Sequence, residues 1–334
     1  MGKPVEPGEA TPERTPSVRP TLRGHLAICR FDHWFKNVFV LPGIVVALSV
    51  EPQRVQPGLL VDILVGLLAI GFVASSNYVL NDLRDAPFDR FHPSKRTRPV
   101  PAGQVHEILA YLQWLALAVL GIGIGLLISF PFTLILVALW MMGCVYNLKP
   151  IRSKDLPYLD VLSEAVNNPL RMLAGWFIVG PDAVAPASLL LSYWMMGCYF
   201  MGIKRFAEYR RIGDPRAAAR YRRSFAHYNE KRLLVSVMFY GSTAMLMFGA
   251  FVMRYRLSLI LSFPFVALVM ALYLHLGLEE DSPVQNPESL YRQPRLMAVM
   301  IICAVVMIVC LYYEFPILEK IFSPTAPTNP GYPG

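Results

Sequence analysis

The sequence has few charged residues and few cysteines. Only 16% of its 334 residues are Asp, Glu, Lys or Arg, whereas soluble domains usually carry about 25%. The five cysteines are odd in number and show no C-x-x-C spacing, which argues against a disulfide framework or a zinc site. Residues 1–20 contain five prolines and no apolar stretch, so we expect a disordered tail there and not a signal peptide.

Long apolar runs dominate the rest of the chain, with 55% apolar residues and a mean hydropathy of +0.44. A helix needs about 20 apolar residues to cross a bilayer. Nine candidate spans cover residues 35–50, 58–80, 108–129, 132–147, 159–180, 185–203, 233–253, 257–277 and 296–315. Backbone groups cannot stay unpaired in lipid, and these runs are too continuous for barrel strands. We therefore predict an all-α, polytopic membrane bundle of about nine transmembrane helices.

Basic residues predict the orientation of this bundle. Loop 204–232 holds ten Lys and Arg residues and loop 81–107 holds five, whereas the loops on the opposite side hold Arg54, Arg254 and Arg256 in total. The positive-inside rule places the basic loops in the cytoplasm of a multi-pass cell-membrane protein. The net charge of +8 is then explained without nucleic acid. We expect loop 204–232 to form an interfacial helix against membrane lipids.

The organisation predicted from these runs is a single transmembrane domain between two tails. The domain covers residues 25–316, after a cytoplasmic tail of residues 1–24 and before a C-terminal tail of residues 317–334.

Acidic residues cluster where the second span ends, in the motif N-D-x-x-D-x-x-x-D formed by Asn81, Asp82, Asp85 and Asp89. Spacings of three and four residues place the acids on one helical face, although Pro87 could distort the last turn. Carboxylates together with substrate phosphates suit Mg²⁺. With Lys95, Arg96 and Arg98 close behind, the motif predicts a clamp for a diphosphate. A solvated helix end with ordinary charges is the alternative.

A second polar stripe lies on the fifth predicted span. It contains Asp160, Glu164, Asn167 or Asn168, and Arg171, and Pro169 should kink the helix. Ionisable groups inside a membrane usually face a cavity, although an internal pair such as Glu164 with Arg171 is an alternative. Tyr146, Lys149, Arg152 and Lys154 precede the stripe. If the two motifs face each other, each would hold one Mg²⁺ ion and the two ions would share a diphosphate.

These motifs resemble the UbiA superfamily of intramembrane prenyltransferases over roughly residues 25–315. The resemblance implies a helical bundle around a central cavity, with Mg²⁺ as cofactor and an isoprenoid lipid plus an acceptor as substrates. Asp82, Asp85 and Asp160 would be catalytic. Asn81, Asp89 and Glu164 would complete the metal sites, although the second motif leaves Asp155, Asp160 and Glu164 open as the ligand. The substrate-binding residues would be Lys36, Asn37, Lys95, Arg96, Arg98, Tyr146, Lys149, Asn168, Arg171 and Lys204.

One branch, the decaprenyl-phosphate phosphoribosyltransferases, has a similar layout. The similarity rests on W-x-K-N from Trp34 to Asn37, on the run from His92 to Pro99, and on K-R-x-A-E from Lys204 to Glu208. The sequence thus leaves three functions open. The first is Mg²⁺-dependent transfer of a polyprenyl group from its diphosphate to an acceptor. The second is phosphoribosyl transfer to polyprenyl phosphate, and the third is a transporter or lipid-binding membrane protein.

Overall fold

The computed structural model describes residues 19–90, 95–285 and 287–322, and within these ranges the chain forms helices and loops without β-strands. The α-helices of the first half are α1 (Leu22–Ala27), α2 (Leu41–Val50), α3 (Leu59–Asp89), α4 (Glu107–Gly125), α5 (Phe130–Asn147), α6 (Leu159–Ala165) and α7 (Asn167–Val179). Those of the second half are α8 (Ala187–Ile212), α9 (Pro215–Tyr221), α10 (Glu230–Tyr255), α11 (Phe263–Leu278), α12 (Pro294–Tyr312) and α13 (Pro316–Phe322). The prediction of an all-α membrane bundle is confirmed.

Seven segments of the described chain are long and apolar enough to cross a membrane. They are Leu22–Val50, Leu59–Asp89, Glu107–Gly125, Phe130–Asn147, Glu230–Tyr255, Leu257–Leu278 and Pro294–Tyr312. Seven of the nine predicted spans fall on them, so the count of nine is not confirmed. Both remaining spans do form helices. Residues 159–180 are divided between α6 and α7. Most of the span 185–203 lies in α8, which begins at Ala187 and is richer in Ser, Tyr and Gly.

Two prolines affect the helices that carry the acidic motifs in different ways. Pro87 lies inside α3, yet the helix continues to Asp89, so all three aspartates of the first motif lie on one helix. In the second motif, α6 ends at Ala165 and α7 begins at Asn167. Pro169 has no N–H to donate to the carbonyl of Ala165, and this missing hydrogen bond accounts for the break.

The interior of the bundle consists of apolar side chains from α2, α3, α5, α7 and α10, with Trp176 and Phe132 among the most deeply buried. Helices α2 and α7 approach especially closely. A Cβ atom added to Gly43 of α2 would lie 1.8 Å from the carbonyl oxygen of Met172, and one added to Gly175 of α7 would lie 2.2 Å from that of Val40. Small residues permit this backbone contact, as is common between membrane helices.

The two basic loops that the sequence assigned to one side meet two further interhelical loops, residues 147–158 and 278–295, at one end of the bundle. Lys95 lies 3.4 Å from the hydroxyl of Tyr221, Lys154 reaches Asp85, and Arg211 donates to the side chain of Gln285 at 3.2 Å. The structure thus brings together loops 81–107, 147–158, 204–232 and 278–295. Which side of a membrane this end faces stays a prediction.

The predicted tails are described only in part. Residues 1–18 and 323–334 lie outside the described residues, as do residues 91–94 with His92. Within the predicted tails, α1 begins at Leu22 with Thr21 as its N-cap, and α13 covers Pro316–Phe322. The domain boundaries stay predictions.

Candidate active site

The carboxylates of the first motif each contact a cation at the end of α3. Arg30 binds both oxygens of Asp82, with Nε at 3.1 Å from Oδ2, and the Asp82 side chain is only 4% exposed. Arg98 donates to Asp89 at 2.9 Å. Charge-assisted hydrogen bonds of this kind are stronger than neutral ones and favour these buried positions for the carboxylates.

Asp85 contacts two cations from the loop that follows α5. Its Oδ1 accepts from the Lys154 ammonium at 2.5 Å and lies 3.3 Å from the Arg152 guanidinium. Lys154 also donates to the side-chain oxygens of Asn147 at 2.7 Å and of Asn81 at 3.4 Å. Burial lowers the pKa of Lys154 below its ordinary value, although the Asp85 carboxylate acts in the opposite direction. We call this group the α3 cluster; it comprises Arg30, Asn81, Asp82, Asp85, Asp89, Arg98, Arg152 and Lys154.

Asp160 of the second motif is fully buried. Its Oδ1 accepts from the Tyr228 hydroxyl at 2.7 Å and its Oδ2 accepts from Ser224 at 3.1 Å. Arg205 of α8 lies 3.5 Å from the same Oδ2. Burial and the neighbouring Asp160 raise the pKa of Tyr228, so the neutral phenol is the donor.

Glu164 lies one turn further along α6 and is about a third exposed. It accepts from the Tyr146 hydroxyl at 2.9 Å and from Arg205 at 2.6 Å. Arg205 also binds Glu208 at 2.9 Å, and Arg222 donates to the Tyr146 hydroxyl at 3.0 Å. We call this group the α6–α8 cluster; it comprises Tyr146, Asp160, Glu164, Arg205, Glu208, Arg222, Ser224 and Tyr228.

Tyr146 connects the clusters. The Lys154 ammonium of the α3 cluster lies 5.8 Å from the ring centre of Tyr146, whose hydroxyl donates to Glu164. Because Lys154 also binds Asp85, the two acidic motifs are linked through Lys154 and Tyr146 at one end of the bundle.

Other residues predicted for the site occupy different positions. The ammonium of Lys36 lies 6.0 Å from the ring centre of Tyr78. Burial lowers the pKa of Lys204, and the positive charge of Lys36 contributes in the same direction. Buried Asn37 donates to the carbonyl of Leu67 at 3.5 Å, while Asn168 packs against Gly197 of α8.

Three more basic residues of the prediction lie outside the two clusters. The Lys95 ammonium contacts the ring of Tyr221, 4.8 Å from its centre. Arg96 and Lys149 are exposed. Their predicted roles in substrate binding stay predictions.

Sequence reasoning missed several members of the two clusters. Arg30 precedes the first span without any motif around it, and its pairing with Asp82 connects residues 52 positions apart. Loop 204–232 was expected to form an interfacial helix, but α9 covers only Pro215–Tyr221. The chain then turns inward because Phe225 is buried against Phe206 and Leu233. This turn brings Arg222, Ser224 and Tyr228 into the α6–α8 cluster.

Residues with strained backbone conformations lie in or next to the two clusters. Within the described ranges, three non-glycine residues have positive φ: Arg30 at 49°, Arg152 at 37° and Tyr158 at 64°. The first two bind Asp82 and Asp85, and the N–H of Tyr158 donates to the Tyr228 hydroxyl. Such conformations cost roughly 1–2 kcal/mol per residue, and they persist at functional sites where the surrounding structure holds them in place.

The α3 cluster fits one Mg²⁺ ion. Asp85 receives its contacts from Lys154 and Arg152 at Oδ1, so its Oδ2 would be the first ligand of the ion. Asp82, which Arg30 binds at both oxygens, would become a ligand once Arg30 turned to a phosphate. The described residues contain no group of three or more acidic, His or Cys side chains arranged for a metal. Mg²⁺ usually binds through one or two carboxylates together with waters and substrate phosphates, and this sparse ligand set agrees with that preference.

A multi-helix membrane bundle with acids and cations gathered at one end defines the protein as a polytopic membrane protein with a charged site. The particular family follows from comparison: the chain belongs to the UbiA prenyltransferase family, whose model matches residues 39–298. Members of this family are prenyl-related transferases, so a transporter function is not needed to explain the buried charges.

Three similar proteins show how the chain relates to known ones. It is 30% identical to the decaprenyl-phosphate phosphoribosyltransferase of Corynebacterium glutamicum over 61% of its own length and 60% of that protein's. It is 28% identical to that of Mycolicibacterium smegmatis, over 67% and 68% respectively. A UbiA homolog from Archaeoglobus fulgidus, solved with GPP and Mg²⁺ bound, matches at a TM-score of 0.64 and 20% identity over 86% of this chain and 98% of that one. The solved structure supports the fold alone.

Proposed function

We propose that the protein transfers a phosphoribosyl group from phosphoribosyl diphosphate to the phosphate of a polyprenyl phosphate, with Mg²⁺ as cofactor. The observation that carries this proposal is the distribution of cations over both sides of the site. Arg98, Arg152 and Lys154 lie with the acids of α3. A second group of cations lies near α8 and includes Lys204 of that helix. Two phosphorylated substrates bring two groups of anionic oxygens, and each group requires cations of its own.

The second cation group supports an acceptor that carries a phosphate. Burial lowers the pKa of Lys204, and the positive charges of Arg205 and Lys36 act in the same direction, so we assign Lys36 and Lys204 to this second group. Like charges held together in a low-dielectric site are stabilised when an anion lies between them. The curated relatives named above are phosphoribosyltransferases acting on decaprenyl phosphate, which agrees with this assignment.

The chemistry follows from the positions of these groups. Asp82 and Asp85 would hold Mg²⁺, which neutralises the charge of the departing diphosphate. Arg98, Arg152 and Lys154 bind its oxygens and keep it aligned. A phosphate oxygen of the acceptor attacks the ribose carbon that bears the diphosphate; the new C–O bond forms as the old one breaks and diphosphate leaves. Because the acceptor phosphate is already an anion, no general base is required.

An assay with purified protein tests the proposal. Release of diphosphate is measured from phosphoribosyl diphosphate with polyprenyl phosphate, and in parallel from geranylgeranyl diphosphate with the same acceptor. We expect release from the first donor, its loss in EDTA, and its recovery when excess Mg²⁺ is added. Release that continues unchanged in EDTA, or no release from phosphoribosyl diphosphate, would contradict the proposal.

Transfer of a polyprenyl group from its diphosphate is the second candidate. The description of the matching family as prenyltransferases favours it, and the α3 cluster suits either diphosphate. In the assay above, release from geranylgeranyl diphosphate alone identifies this activity.

A further inference from the structure

Arg205 occupies the centre of the α6–α8 cluster. Its guanidinium lies 2.6 Å from Glu164, 2.9 Å from Glu208 and 3.5 Å from Asp160, and the side chain is only 5% exposed. Three carboxylates around one buried positive centre form the kind of ligand set that a divalent cation takes. In this protein the Arg205 guanidinium occupies that position.

The hydrogen bonds of Asp160 leave little room for a metal. One oxygen accepts from Tyr228 and the other from Ser224, while Tyr228 is itself held by the backbone N–H of Tyr158 at 2.5 Å. Asp160 is also fully buried. A metal bound to Asp160 would have to displace this network and leave buried polar groups unpaired, which is costly.

The positive charges of the cluster oppose a second ion as well. Arg222 lies 3.9 Å from the same Oδ2 of Asp160 that Arg205 approaches. A divalent ion bound at Asp160 would lie close to both guanidinium groups and be repelled by them. Arg205 and Arg222 offset two of the three carboxylates of this cluster, and Lys204, next to Arg205 in the chain, is a third cation of the region.

We propose that the site uses a single divalent cation at Asp82 and Asp85, and that Arg205, positioned by Asp160, Glu164 and Glu208, provides the positive charge where a second metal ion was predicted. This inference rests on the proposed function for its substrate, a diphosphate. It replaces the sequence-based assignment of Asp160 and Glu164 as metal ligands: Asp160 is a positioning residue for the guanidinium, and Glu164 orients it together with Tyr146.

The stoichiometry of Mn²⁺ binding tests the inference without relying on turnover. Protein in lipid nanodiscs is titrated with Mn²⁺ in the presence of inorganic pyrophosphate, and bound Mn²⁺ is counted by electron paramagnetic resonance, with protein-free pyrophosphate subtracted. We expect one Mn²⁺ per chain. Two bound ions per chain would overturn the inference.

Variants assign the bound ion to one cluster. Glu164→Gln and Asp160→Asn keep side-chain shape, and we expect both to retain one Mn²⁺ with a Kd within about twofold of the unchanged protein. Asp160→Asn should nevertheless weaken pyrophosphate binding, by about tenfold, because Arg205 loses a positioning contact. Asp85→Asn should abolish Mn²⁺ binding. A tenfold loss of Mn²⁺ affinity in Glu164→Gln would show that the second cluster does bind metal.

The number of bound Mn²⁺ ions can be interpreted independently of the assay that tests the proposed function. Pyrophosphate is common to all diphosphate donors, so a count of one Mn²⁺ stands even if phosphoribosyl diphosphate is not the substrate. If Asp160→Asn fails to fold, Glu164→Gln still decides, because Glu164 is partly exposed and its change leaves the Asp160 hydrogen bonds intact.

Discussion

At the scale of single residues, the site depends on carboxylates that are ion-paired before any substrate binds. Arg30, Lys154 and Arg98 each contact one aspartate of α3. Binding of a metal with a diphosphate would redistribute these pairs, so that the carboxylates face the metal and the cations face phosphate oxygens. The same cations would thus pair with carboxylates in the free protein and with phosphate oxygens in the substrate complex.

Asp85 is the residue whose change should affect chemistry most directly. It is the more exposed of the two proposed ligands, with 26% of its side chain accessible against 4% for Asp82. We expect Asp85→Asn to lower the rate of diphosphate release at least 100-fold, because one metal ligand loses its charge. Asp62→Asn on the same helix is the control, since Asp62 is exposed at the opposite end of α3. Equal rates in both variants would rule out the assigned role.

Arg30 should matter for stability as well as for binding. Arg30→Gln leaves Asp82 as a buried charge without its partner, which costs about 3–5 kcal/mol. We expect a clear fall in the thermal unfolding temperature, measured in detergent or nanodiscs. The double variant Arg30→Gln with Asp82→Asn should recover most of the stability while remaining inactive. If the single variant unfolds at the same temperature as the unchanged protein, the ion pair is not structural.

At the scale of helices, the close approach of α2 and α7 fixes the position of the second motif, because α7 follows directly from α6. We expect Gly43→Ala to destabilise the protein by about 1–3 kcal/mol, since its methyl group would overlap the Met172 carbonyl. Gly123→Ala on α4 is a matched control, because a Cβ there meets nothing within 4 Å. A lower unfolding temperature for Gly123→Ala than for Gly43→Ala would contradict this packing argument.

The helices also show where sequence patterns succeed. Continuous apolar runs such as residues 58–80 and 257–277 fall on α3 and α11 because hydropathy alone selects such segments. The prediction of one continuous span over residues 159–180 was less accurate, because a proline and several polar side chains divide this segment into α6 and α7. The inward turn after α9 was missed, because it depends on the burial of Phe225 against residues distant in sequence.

At the scale of the whole molecule, the orientation in the membrane is still to be measured. The basic loops meet at the site end of the bundle, and the positive-inside rule places this end in the cytoplasm. We expect an impermeant maleimide to label Gln53→Cys on intact cells, and to label Arg220→Cys only after permeabilisation. Both positions are exposed, and the native cysteines are buried or partly buried. The reverse pattern would place the site outside the cytoplasm.

The sequence by itself determined the all-helical membrane fold, the acidic motif on α3 and the grouping of loops at one end. Each of these follows from local properties: hydropathy, the spacing of three and four residues, and the bias in basic residues. Only the tertiary structure decided which charges neutralise which, because Arg30 with Asp82 and Arg205 with Asp160 are pairs between distant segments. The contact of one guanidinium, that of Arg205, with both Asp160 and Glu164 likewise depends on the packing of α6 against α8.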